Sequence, residues 1–227
     1  MSAGEVVILA LLGGVLGLDT VSFPQAMLSR PIVGGTLAGA LVGNPLPGLL
    51  VGAALELFAV ETLPFGASRY PEWGSASVIG GVLASSGLSV EAGRLCTAVL
   101  ATLMMAWLGG WSMVQLRRLN ARLARRRHDA VARGGRRTVL GLQMAGLTAD
   151  LTRGIALTAA GLIVFVPLQA ATLQSWVGGV ELSRAVVAGT AGAVSLGAAY
   201  KLFHAVPGFG WQFLLGLAAG LAVVSVL

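Results

Sequence analysis

Nine carboxylates are present in 227 residues, and seven of them lie inside or beside strongly apolar stretches: Asp19, Glu56, Glu61, Glu72, Glu91, Asp150 and Glu181. Glu56 is the most isolated. It sits in Gly48-Leu-Leu-Val-Gly-Ala-Ala-Leu-Glu56-Leu-Phe-Ala-Val, with no basic residue within twelve positions after it or 25 before it. An unpaired carboxylate in hydrocarbon costs several kcal/mol, so it must face a polar cavity, find a distant partner or stay protonated. The alternative is that Glu56 only caps or brackets a re-entrant turn. Asp19 ends a short apolar run, and Gln25 follows six residues on, before Ser29-Arg30-Pro31. Carboxylates and amides are the side chains that exchange paired hydrogen bonds with sugar hydroxyls. Trp73 and Phe65 are candidates to stack on a pyranose ring, although Trp73 also suits an interfacial anchor. Arg30 could pair with Asp19 or reach a lipid headgroup.

Other chemistries find no support in the residue pattern. The nearest approach to an intramembrane serine nucleophile is Ala84-Ser85-Ser86-Gly87 with His204, and its first residue is wrong. His128 and His204 lack metal-ligand spacing, and Cys96 stands alone, so neither a disulfide nor a cysteine metal cluster is possible. There is no Gly-x-x-x-x-Gly-Lys-Ser/Thr phosphate loop. No cofactor and no metal are expected, and no catalytic residue is assigned.

The elements that must position these side chains belong to a membrane. Hydrophobic residues make up 56% of the chain, charged residues 11%, and the mean hydropathy is +0.85. Soluble domains carry about 25% charged residues, so this composition excludes an ordinary cytosolic enzyme, a disordered tail and a nucleic-acid module. Nine of the fifteen basic residues fall between Arg117 and Arg137, against the lone Asp129, so the net +6 belongs to that window and the remainder is slightly acidic. With no aromatic in the window, a nucleic-acid surface is not indicated. The window reads as a loop held on the cytoplasmic side by the positive-inside rule, with lipid headgroups in reach. It divides the chain into 1–116, which holds the candidate site, the basic loop 117–137, and 138–227. The first charge is Glu5, so no basic leader precedes the first apolar run, which is expected to be retained.

Three runs are long enough to span: Leu95 to Leu116, Gly154 to Val180 and Leu202 to Leu227, with Ala185 to Tyr200 close behind. The first third is different. Val6 to Leu18 has 13 residues, and Ile32 to Gly43 has 12 before Asn44-Pro45-Leu46-Pro47. A 12-residue helix covers about 18 Å and cannot cross about 30 Å of hydrocarbon. Six of the eight prolines lie between Val21 and Glu72. Such segments predict half-helices and re-entrant hairpins, the usual builders of a transporter's binding site. Gly35, Gly39 and Gly43 stand at i, i+4 and i+8 and predict one smooth helix face. The fold class expected is an all-α polytopic membrane protein, with broken half-helices in the N-terminal third followed by long transmembrane helices.

Several stretches together resemble the C subunit of mannose/fructose/sorbose-family phosphotransferase transporters. They are Ser29-Arg-Pro-Ile-Val-Gly-Gly-Thr-Leu-Ala-Gly-Ala-Leu-Val-Gly-Asn44, Gly48 to Leu57, Pro64-Phe-Gly-Ala67 and Tyr70-Pro-Glu72. The resemblance covers about residues 15–90. It implies a subunit (IIC) that works with a membrane subunit (IID) and soluble subunits (IIA and IIB) that relay phosphate from phosphoenolpyruvate. In that scheme IIC binds a hexose and presents it for phosphorylation by IIB, in a bacterial cytoplasmic membrane, and a homo-oligomer is expected. Carried over by position, Glu56 matches the family's intramembrane glutamate, Gln25 a glutamine before Arg-Pro, and Asp19 is a third substrate-binding candidate. The family's Gly-Asp turn is Gly43-Asn44 here. A proton- or ion-coupled secondary transporter titrating Glu56 or Glu61, and a non-transporting membrane scaffold, are the alternatives that residue chemistry leaves open.

Overall fold

The computed structural model describes residues 1–59, 69–87, 92–174, 196 and 207–226. Among them are eight helices and no strand: α1 (Ala3–Asp19), α2 (Pro31–Leu41), α3 (Pro45–Ala59), α4 (Trp73–Ser85), α5 (Ala92–Arg126), α6 (His128–Ala132), α7 (Arg136–Gln174) and α8 (Phe209–Val226).

Local chemistry sets the helix ends. Ser2 and Glu5 form a reciprocal capping box at the start of α1, with the Ser2 N–H donating to Glu5 Oε2 at 2.7 Å. Pro31 and Pro45 open α2 and α3 at the position where a missing N–H does no harm. Between them Gly43 adopts φ +88°, a left-handed turn that folds α3 back on α2. Gly43 therefore leaves the helix and does not extend the face of Gly35 and Gly39. The two backbones instead close on Gly35, Gly48 and Gly52. A Cβ on Gly52 would stand 2.7 Å from the Pro31 carbonyl oxygen, and one on Gly35 would stand 2.6 Å from that of Gly48. With no apolar gain from leaving lipid, such close van der Waals contact is what holds the hairpin together.

The predicted half-helices are present. The α2 and α3 helices have 11 and 15 residues, and α4 adds a third short apolar helix of 13. Every residue of α4 is buried, enclosed by α1, α2, α3, α5 and α7. The core gathers around it, with Ile79, Val82 and Leu83 against Leu9, Leu16, Val51, Leu55, Met105 and Leu162. Trp73, its first residue, is 7% exposed and belongs to this core, so it is not an interfacial anchor. Outward-facing Leu100, Met104, Trp107 and Trp111 on α5, and Ile163, Val164 and Leu168 on α7, form apolar stripes suited to lipid or another subunit.

The α5 and α7 helices are each long and apolar enough to span. They run antiparallel: Gln169 bonds Thr97 and the Arg94 carbonyl, Arg153 bonds Ser112, and Gly146 lies beside Asn120. The basic window is not a loop. The α5 helix continues through Arg126, α6 covers His128–Ala132 and α7 begins at Arg136. Arginine is a good helix former, so leaving the hydrocarbon does not end the helix, and Arg125 and Arg126 sit well at its negative C-terminal end. The expected span over 185–200 lies, apart from residue 196, outside the described residues, as do 175–180 and 201–206; within 202–227 the described helix is α8.

Candidate functional site

The segment between α1 and α2 is an ordered loop organised by Asp19. Its buried carboxylate accepts the Ala26 N–H at 2.7 Å and the Ser29 N–H at 2.8 Å, one on each oxygen. Gln25 and Met27 take left-handed backbone conformations, with φ 60° and 61°. Outside glycine such conformations persist only where the surroundings hold them, and they cluster at functional sites. The Gln25 amide donates to the Val21 carbonyl at 2.7 Å, and its Oε1 has no hydrogen-bond partner among the described residues. Loop, α2 and the Tyr70–Trp73 turn enclose a first cavity of about 410 Å³, whose polar lining includes Asp19, Thr20, Gln25, Ser29 and Arg30.

Glu56 reaches this cavity through Arg30. The two form an ion pair in which both Nε and Nη2 of Arg30 engage Glu56 Oε1, with side-chain exposures of 31% and 20%. The other oxygen, Oε2, accepts the Ile32 N–H at 3.2 Å, one of the open donors in the first turn of α2. Of the options open to an isolated acid, Glu56 takes the distant partner and also caps a half-helix. Arg30 pairs with Glu56 and not with Asp19. The structure thus places Asp19, Gln25 and Arg30 on one cavity, with Glu56 joined to them through Arg30. Glu61, Phe65, Glu91 and Glu181 lie outside the described residues.

A second polar cluster escaped the sequence reading. Glu72 caps α4 by accepting the Ser75 N–H at 3.0 Å, and its side chain is 1% exposed. Arg153 lies 3.9 Å from Glu72 Oε2, 2.9 Å from Asp150 Oδ1 and 3.1 Å from Ser112 Oγ. The Ser22 hydroxyl donates to Asp150 Oδ2 at 2.5 Å. Asp150 and Arg153, three apart on one helix, were a visible pair. Glu72 and Ser22 were not, because they come from distant segments. Arg117 stacks 4.9 Å above the Tyr70 ring and also bonds its hydroxyl. Beside this cluster lies a second cavity of about 520 Å³ between α5 and α7. Among the described residues no group of three His, Cys, Asp or Glu could hold a metal. His128 is highly exposed beside Asp129 at the tip of the basic hairpin, and His204 lies outside the described residues.

This architecture has known counterparts. A solved structure described only as a membrane protein superposes with a TM-score of 0.72 at 16% identity, covering 100% of this chain and 92% of that one. A cryo-EM structure of the mannose transporter ManYZ in complex with microcin E492 gives a TM-score of 0.64 at 16% identity, covering 100% and 93%. At such identities the likeness speaks for the fold. A comparison with curated protein sequences gave no match. The family model described as the sorbose-specific IIC component of the phosphotransferase system matches residues 3–178. With that match spanning the half-helices, the loop cavity and both long helices, the chain belongs to the sorbose-specific IIC family of phosphotransferase-system membrane transport components.

Proposed function

We propose that this IIC component binds a hexose-type sugar in the first cavity and presents it for phosphorylation by a soluble IIB subunit. In this reading it works beside a IID subunit in a bacterial cytoplasmic membrane, with phosphate arriving through IIA, and several copies assemble together. Phosphoryl transfer belongs to the partners, so this chain is a transport subunit and not itself the enzyme.

One observation carries the reading: Asp19, Gln25 and Arg30 converge on one cavity at the ends of half-helices, and Glu56 joins them through its ion pair with Arg30. Each supplies a different part of sugar recognition. The Gln25 Oε1 accepts from a hydroxyl. Arg30, held and charge-balanced by Glu56, donates to neighbouring hydroxyls as charge-assisted bonds that exceed neutral ones in strength. Asp19 has both oxygens engaged by backbone N–H groups, so its main work is to hold Gln25 in place. Tyr70 and Trp73 give the cavity its aromatic wall.

The test is uptake of labelled hexoses by cells expressing this chain with its companion subunits, followed by chromatography of the product. Sugar phosphate that disappears on deletion of this chain is the expected result. Free sugar whose accumulation collapses with an uncoupler would replace group translocation by proton coupling.

A further inference from the structure

The two cavities share a wall. Val21 lines both of them, and its neighbour Ser22 lines the second. The partition includes the stretch Val21–Ser22 that follows α1, held by the Gln25 amide donating to the Val21 carbonyl and by the Ser22–Asp150 hydrogen bond; beside it Tyr70 of the first cavity is stacked against Arg117 of the second.

The polar groups on the two sides match in kind. The first cavity presents the carboxylate of Asp19, the amide of Gln25, the hydroxyl of Ser29 and the guanidinium of Arg30. The second presents Asp150, the amides of Asn120 and Gln143, the hydroxyl of Ser22 and the guanidinium of Arg117. Leucine side chains and Met113 supply the remaining wall. Two amides, each both donor and acceptor, beside a carboxylate and a hydroxyl suit a neutral polyhydroxylated solute. Neither charged group is mobile: Arg117 is stacked on Tyr70 and Asp150 is held by Arg153. The second cavity also has a side. It includes Arg117, Asn120 and Ala124, where α5 turns from apolar to arginine-rich, and so lies toward the end that the positive-inside rule places in the cytoplasm.

We infer that the second cavity is a further monosaccharide site, on the cytoplasmic side of the first, which takes the same sugar once the Val21–Ser22 partition moves. The inference rests on the sugar-transport reading above. Its amides, Asn120 and Gln143, hold hydroxyls while the sugar awaits its acceptor.

The experiment uses the assembled transporter in membrane vesicles and a diazirine-bearing hexose as a photoprobe, with the labelled peptides mapped by mass spectrometry. Labels are expected both on the segment 19–31 and on 113–124 or 142–150. Gly146 supplies the selective variant, since a Cβ there meets only the Asn120 side chain, with Nδ2 nearest at 3.5 Å. Gly146→Phe, which fills the cavity, should lose the second label, keep the first and lower uptake by about tenfold or more, the loss expected when a hydrogen-bonding subsite is removed. Retention of the first label shows that this variant is folded. Labelling confined to 19–31 in the wild type, or full uptake by Gly146→Phe, overturns the second site while leaving sugar transport standing. Absence of both label and uptake in the wild type overturns the transport reading, and this inference with it.

Discussion

Replacing Glu56 by glutamine separates what the residue does for the fold from the role in sugar binding proposed for it. The glutamine keeps the shape and can still accept the Ile32 N–H, but it leaves the Arg30 guanidinium without its counter-charge. Removing one member of a fully buried pair costs about 3–5 kcal/mol, and an exposed pair contributes about 0–1. With exposures of 31% and 20%, this pair lies between those limits, at about 2 kcal/mol. For a chain of this length that corresponds to a fall in Tm of roughly 4–8 °C. Uptake should fall further than stability explains, because a hydrogen bond to a charged group contributes about 1.5–3 kcal/mol, or roughly 10- to 150-fold. The decisive variant is the double one, Arg30→Gln with Glu56→Gln, which removes both charges and leaves neither unpaired. Thermal unfolding of the purified complex should recover most of the lost stability, while labelled-hexose uptake stays low. If uptake recovers with stability, the pair only staples α2 to α3 and the site assignment fails. If Glu56→Gln alone changes neither, the electrostatic argument itself is wrong.

Other perturbations test the remaining structure. Gly52→Ala should destabilise by about 2 kcal/mol or more, since its Cβ would press on backbone atoms of Pro31 and Ile32 that cannot swing away; Gly43→Ala, strained only by its left-handed φ, should cost about 1 kcal/mol, and folded yield after membrane extraction ranks the two. Arg153→Met leaves Glu72 and Asp150 buried without their shared cation, and a loss of about 3–5 kcal/mol is expected by thermal unfolding, with Arg153→Lys intermediate. Gln25→Ala should spare stability and reduce hexose binding by about 5- to 10-fold, one neutral hydrogen bond's worth, in equilibrium binding to the complex. His128→Cys in a Cys96→Ala background should react with an impermeant maleimide in inverted vesicles and not in intact cells, and the reverse pattern would contradict the cytoplasmic placement of the basic hairpin.

Much of this protein was legible because its determinants are local. Whether a segment can span depends on counting apolar residues against hydrocarbon thickness, so Ile32–Gly43 announced a half-helix and Leu95–Leu116 a helix long enough to cross before any packing was known. The isolation of Glu56 was equally visible, because an acid among leucines is conspicuous at any position. The Arg-Pro start, the glycine-rich half-helix and the Leu-Glu-Leu core carried the family. The basic window showed its charge correctly and its conformation wrongly, since a run of arginines marks the exit from hydrocarbon without ending a helix.

What the tertiary structure decided is who meets whom. Arg30 finds Glu56 from 26 positions away because the left-handed turn at Gly43 lays α3 along α2, and Gly35, Gly48 and Gly52 let the backbones touch. Glu72 and Arg153, 81 positions apart, meet because α4 is threaded through the middle of the other helices. Asp19, expected among the ligands, spends both oxygens on backbone N–H groups of its own loop, which only that loop's folded path could reveal. The physical reason is common to all three. Hydrophobic length and charge are properties of a segment, readable one stretch at a time, whereas burying a charge demands a specific partner, and the partner is chosen by packing between segments.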